Sequence, residues 1–170
     1  MPLSVHDVSV SPDPMMFYRD PIDSGPMPDE FLSTIGHFLI MFTHLETSIR
    51  WTLKYALKVE EDISLIVAYR GRTEDALSMI VTLARPKDDD TKTEATNFAK
   101  TWFPYVQKIR NIVAHQLPSW RENWLRYHFY PSQHSNDPKR SVFMCTVDEM
   151  RDLSEFTLRL CAVIQSLPAT

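Results

Sequence analysis

The sequence predicts an all-α fold: an antiparallel bundle of four to five helices, interrupted before the last helix by one irregular insertion with short β structure. Three observations predict it. Apolar residues recur at alternating steps of three and four along most of the chain, the period of helices that bury one side. Only three glycines stand against twelve prolines in 170 residues. Few positions can therefore reach positive φ cheaply, which disfavours hairpin-rich and glycine-loop architectures. An apolar content of 44% supplies one substantial core in a single domain.

Residues 1–27 are polar and proline-rich without sustained periodicity, and are expected to wrap the surface or stay mobile. The helical domain is expected over residues 28–170. Pro28-Asp29-Glu30 suits a first helical turn, and Phe31, Ile35, Phe38, Phe42, Leu45, Ile49, Leu53 and Ala56 carry one apolar stripe to about Lys58. A second stripe on this helix, His37, Met41, His44, Ser48, Trp51 and Tyr55, is expected to pack on another helix or a second subunit. The next helix starts near Glu61-Asp62 and breaks or bends at Gly71. A third runs from a Thr73 cap through Leu77, Ile80, Val81 and Ala84, and stops at Arg85-Pro86. Lys87 to Asp90 reads as a solvated loop.

The fourth helix rises from about Thr93, or from Thr101 if Pro104 breaks it, and ends at His115. Its apolar side is read from Phe98, Trp102, Tyr105, Val106, Ile109, Ile112 and Val113. Between Leu117 and Thr146 aromatic and polar residues interleave, predicting irregular structure with two short strands near Tyr127–Tyr130 and Ser141–Thr146, and an excursion over Pro131–Lys139. Thr146-Val147-Asp148-Glu149 is a capping box. It opens a final amphipathic helix through Met150, Leu153, Phe156, Leu160, Val163, Ile164 and Leu167.

Composition narrows the function classes. The longest aliphatic or aromatic run, Phe38 to Phe42, is too short to span a bilayer, and no hydrophobic leader opens the first twenty residues. The expectation is a soluble, cytoplasmic protein with no membrane partner. Cys145 and Cys161 lack metal-ligand spacing and read as reduced structural thiols. Asp88, Asp89 and Asp90 lack companion ligands, and His37 and His44 lack a third. No metal and no cofactor is expected.

The net charge is -4 but unevenly spread. Residues 1–30 hold six acids and one arginine, whereas residues 97–128 hold five bases, Lys100, Lys108, Arg110, Arg121 and Arg126, against Glu122. An anionic ligand would go to the second segment. It contains Arg110-Asn111-Ile112-Val113-Ala114-His115 at a helix end. Asn111 and His115 share one face, about 40° apart on a helical wheel. Measured from a stripe of Trp102, Tyr105, Ile109 and Val113, Asn111 points away and Arg110 and His115 lie on opposite flanks. Cationic side chains in a last turn can simply complement the helix dipole. Alternatively, arginine forks onto phosphate oxygens, histidine transfers protons near neutrality, and an amide orients either.

The string resembles the signature of the HEPN superfamily, an arginine followed by four to six residues and a histidine, often with asparagine directly after the arginine. Arg110, Asn111 and His115 match the four-residue spacing, at the end of a core helix and ahead of a capped final helix, across Pro28–Pro168. The resemblance implies a helical domain that dimerises through the motif helices, often a metal-independent ribonuclease, with Arg110 and His115 catalytic and Asn111 supporting. It also implies the alternative of a non-catalytic helical module that binds a nucleotide, RNA or a protein. Many relatives act in antiviral defence or as toxins with a regulatory partner. Leu117 departs from members with a tyrosine two residues after the histidine, where a nucleotidyltransferase partner acts.

Cleavage by a 2′-hydroxyl needs one base and one acid. One chain's motif supplies one imidazole, so a homodimer would bring two to one cleft on an RNA partner. Lys108, Arg121 and Arg126 are candidate RNA contacts, and His128 and His134 are reserve acid/base groups. Nine of the nineteen aromatics fall between Phe98 and Tyr130, suiting either core packing or base stacking. Glu46 takes a place in the row of Leu32, Leu39 and Leu53. It is expected either to pair with Arg50 one turn on or, as a supporting site residue, to reach across the bundle to Arg110.

Overall fold

The computed structural model describes residues 5–6, 26–58, 60–84, 90–116, 118–129 and 141–167. Within these it is mainly helical, with a small antiparallel sheet inserted before the last helix. The elements are β1 (Val5–His6), α1 (Asp29–Leu57), α2 (Glu61–Arg70), α3 (Thr73–Leu83), α4 (Asp90–His115), β2 (Pro118–Arg121), β3 (Trp124–Phe129), β4 (Ser141–Thr146) and α5 (Val147–Ser166). The predicted loop residues 87–89, the excursion at 131–139 and most of residues 1–27 lie outside the described residues. No helix among those described is long and apolar enough to cross a membrane.

The chain divides into two compact units, each fed by parts of α1, α4 and α5. The first comprises Met1–Leu39 and Ile109–Leu153. Its sheet has the order β1-β4-β3-β2, all antiparallel. The register sets Tyr127 opposite Phe143 and Leu125 opposite Cys145. These four side chains are buried, as strand alternation requires of one face. Phe31 and Phe38 of α1, Ile109, Ile112 and Val113 of α4, and Val147, Met150 and Leu153 of α5 are also buried here.

The insertion is more ordered than the sequence suggests, because the β2–β3 hairpin adds a four-residue pairing to the six-residue β3–β4 ladder. Its two-residue turn places Glu122 at φ 55, and the carbonyl of Asn123 accepts the amide of Val147 at 3.3 Å. That bond ties the turn to the start of α5. The capping box forms as read: the Thr146 amide donates to Glu149 Oε2 at 2.8 Å, and the Glu149 amide donates to Thr146 Oγ1 at 3.1 Å. Two amides of the helix start are thereby satisfied, a device that contributes about 1 kcal/mol.

Tyr127 is fully buried, and its hydroxyl has no hydrogen-bond partner among the described residues. A buried unsatisfied hydroxyl costs about 1–3 kcal/mol. Tyr127→Phe is therefore expected to raise stability by about 1 kcal/mol or more, measured by denaturant unfolding. A lower midpoint would contradict this.

Burial, with the nearby Glu149 charge second, pushes the Cys145 thiol up to about 12. Burial also holds the Tyr127 phenol well above its ordinary value, with Cys145 adding to the effect. Both groups keep their protons longer folded than unfolded. Their contribution is whole below the ordinary thiol value of 9.0 and is lost as pH rises through the folded value. Stability is expected to fall from about pH 9 towards pH 12. Tyr127→Phe should soften the upper part of that fall in denaturation midpoints followed against pH.

The second unit comprises Ile40–Lys108 and Ser154–Thr170. Its buried apolar residues include Phe42, Leu45, Ile49 and Leu53 from α1, Ala76, Leu77, Ile80 and Val81 from α3, Ala99, Phe103 and Val106 from α4, and Leu160, Cys161 and Ile164 from α5. Phe42 stacks on Phe103 with centroids 6.3 Å apart, and Phe98 and Trp102 meet Phe156 at 5.7 and 5.2 Å. Ser48 Oγ accepts from Cys161 Sγ at 2.9 Å and from Gln165 Nε2 at 3.1 Å. The second stripe of α1 thus meets α5 at Ser48, while His37, His44, Trp51 and Tyr55 are exposed.

Candidate functional site

The end of α4 carries the motif. The helix begins at Asp90, ahead of the expected Thr93, and runs through Pro104 without ending. Pro104 and Lys100 are both exposed, so the carbonyl that proline cannot bond faces water, and the ring disturbs no packing. The last turn closes with the Gln116 amide on the Ile112 carbonyl at 3.0 Å.

The buried row of α4 differs from the periodicity reading. Trp102 and Tyr105, which centre the predicted stripe, are only half-buried, and they border the core through edge-to-face contacts, Trp102 with Tyr105 at 5.6 Å. Val106, Ile109, Ile112 and Val113 of the predicted side are buried, but the buried surface extends further round the helix to Ala99 and Phe103, so that Ala99, Phe103, Val106 and Val113 form one row spaced four, three and seven. Arg110 fills the missing place in that row. Phe103 is an apolar ring with no polar atom to satisfy and takes the centre, whereas Trp102 and Tyr105 each carry a polar tip that the border leaves near water. Arg110 is accordingly half-buried, and its expected position on a flank is corrected: it belongs to the buried side.

Its guanidinium nevertheless turns outward, because Arg110 Nη1 donates to Asn111 Oδ1 at 3.0 Å. Neighbouring residues point about 100° apart on a helix. The bond therefore requires the arginine stem to start in the buried row and its head to swing out towards the Asn111 face. Asn111 and His115 are exposed one turn apart on that face, and Lys108, also exposed, stands one turn before Asn111. One helix end thus presents an amide-held guanidinium and an imidazole. Chemically it can attract a phosphodiester, fork onto its oxygens and exchange a proton.

The other predicted residues are placed elsewhere. Arg126 is half-buried on β3, on the face opposite Leu125 and Tyr127, with Met144 and Ser119 as its register partners. Arg121 ends β2 opposite Trp124, His128 lies in β3, and His134 is outside the described residues. Half-buried Glu46 accepts from Thr73 Oγ1 at 3.3 Å, which in turn accepts from Arg50 Nη2 at 3.3 Å, while Arg50 Nη1 reaches the Gly71 carbonyl at 3.4 Å. Thr73 is the first residue of α3, not its cap, a position taken by Arg72. Its buried hydroxyl joins Glu46 to Arg50, a role sequence spacing did not expose. A buried polar group at a helix start was the available signal.

Among the described residues no three His, Cys, Asp or Glu side chains converge where a metal ion could be held. Compared with protein-family models, curated proteins and solved structures, the chain matches none.

Proposed function

We propose that this chain is a metal-independent endoribonuclease of HEPN type, cleaving RNA by 2′-hydroxyl attack at a site shared between two subunits that meet through their α4 ends. The observation that carries the reading is the Arg110–Asn111 bond, which directs a guanidinium from the buried row to the face bearing exposed His115.

The chemistry follows from those groups. One imidazole removes the 2′-hydroxyl proton as that oxygen bonds to phosphorus. The bond from phosphorus to the 5′ oxygen breaks, and the second subunit's imidazole delivers a proton to the leaving oxygen. The products are a 2′,3′-cyclic phosphate and a free 5′-hydroxyl. Arg110 stabilises the charge that gathers on the phosphorane oxygens, Asn111 orients Arg110, and Lys108 draws the backbone in. Arg121 and Arg126 are proposed as outlying RNA contacts. Glu46 is a supporting residue, a role withdrawn if Glu46→Gln leaves cleavage unchanged.

The test is incubation of the purified chain with labelled single-stranded RNA in excess EDTA, beside folded His115→Ala and Arg110→Ala forms. Cleavage by the wild type alone supports the assignment. Cleavage that survives both substitutions removes it, and RNA bound but uncut moves the chain to a non-catalytic binding module.

A further inference from the structure

A second feature lies on the exposed side of α1. Trp51 and Tyr55, one turn apart, are 41% and 68% exposed, with ring centroids 5.9 Å apart and planes 27° from parallel. Lys54 Nζ sits 4.7 Å from the Trp51 centroid and 6.0 Å from that of Tyr55. Its side chain is only 13% exposed and is held by Glu61 Oε1 at 2.7 Å. The rings are thus braced by a tethered cation, while the apolar demand of α1 is met elsewhere by Phe42, Leu45, Ile49 and Leu53.

The helix ends beside them in an unusual way. Lys58 is exposed and has φ 50. Glycine or asparagine is the ordinary choice for that left-handed position, and a lysine there carries a conformational cost that glycine would not. A cation three residues beyond Tyr55 complements the helix dipole. Glu61 holds Lys54, and exposed Glu60, Glu61 and Asp62 follow Lys58, so within this cluster it is Lys58 that would meet a phosphate while the flat ring of Tyr55 suits a base.

We infer that Tyr55 and Trp51 form a stacking platform for an unpaired nucleobase, with Lys58 on the adjoining phosphate. The inference deepens the RNA reading of the chain and rests on it for the biological ligand. Stacking does not require a 2′-hydroxyl, so the probe can be single-stranded DNA, which cannot be cut by 2′-hydroxyl attack.

The experiment is fluorescence anisotropy of a labelled thymidine oligonucleotide of about twelve residues, titrated with the full chain at low salt. Tyr55→Leu is expected to weaken binding about ten-fold or more, Tyr55→Phe to retain it, and Lys58→Ala to lower the salt dependence by about one counterion. Wild type that binds no oligonucleotide, or Tyr55→Leu that binds as wild type, overturns the platform. So does a Tyr55→Leu form whose sedimentation mass changes while its oligonucleotide affinity does not, since the rings would then serve a protein contact. Failure here leaves the ribonuclease reading standing, and an inactive but oligonucleotide-binding protein leaves the platform standing.

Discussion

His115→Ala is expected to slow RNA cleavage in EDTA by about 10²–10⁴-fold, the span that positioned proton transfer supplies, while changing stability by no more than about 1 kcal/mol. The asymmetry follows from position. His115 is exposed in the last turn of α4, so its removal opens no cavity and forfeits only its interaction with the helix dipole. Arg110→Ala is expected to lower the rate by about 10²–10³-fold and also to destabilise, because its stem occupies a place in the buried row. Arg110→Lys should restore part of the stability and little of the rate, since an ammonium cannot fork onto two phosphate oxygens. Rate assays paired with unfolding midpoints separate these outcomes. Equal stability losses for the His115 and Arg110 variants would contradict the placement.

Phe42→Ala is expected to cost about 3–5 kcal/mol in denaturant unfolding. Phe42 and Phe103 are each 1% exposed and stack against each other, so truncation loses buried area, ring contact and packing at once. A domain of ordinary stability holds about 5–15 kcal/mol, and the variant should sit near its unfolding transition under mild conditions. Phe103→Ala should cost a similar amount. The double variant should lose less than the two single losses combined, because the pair shares one contact. Strict additivity would show that the stacked geometry contributes nothing of its own.

Much of the architecture was legible because it rests on local rules. The long stripe from Phe31 to Leu53 and the Thr146-x-x-Glu149 box predict α1 and α5 by mechanisms that need no distant partner. The elements misjudged depend on context. β2 begins at Pro118 and takes its identity from pairing with β3, which no four-residue window reveals. Pro104 stays inside α4 because its side of the helix faces water.

At the candidate site, spacing singled out Arg110, Asn111 and His115 and found Val106, Ile109, Ile112 and Val113, but it set the centre of the buried side too far towards Trp102 and Tyr105. Large aromatics weigh heavily in a periodicity argument, yet Trp102 and Tyr105 take the border, and Ala99 and Phe103 the centre. The Arg110–Asn111 bond was illegible for a related reason: adjacent helical residues ordinarily face apart, and only a long side chain leaving a buried row closes that gap. Thr73 likewise looks like a cap until Glu46 and Arg50 are seen on either side of its hydroxyl.

The proposed reaction is transesterification by the RNA's own 2′-hydroxyl at the Arg110–His115 site. It is tested most directly by reading product ends after the wild-type chain meets single-stranded RNA in excess EDTA, beside the same strand 2′-O-methylated throughout. The expected result is 2′,3′-cyclic phosphate and 5′-hydroxyl ends from the RNA and an intact methylated strand. Cleavage of the methylated strand, or 5′-phosphate ends from the RNA, would contradict it.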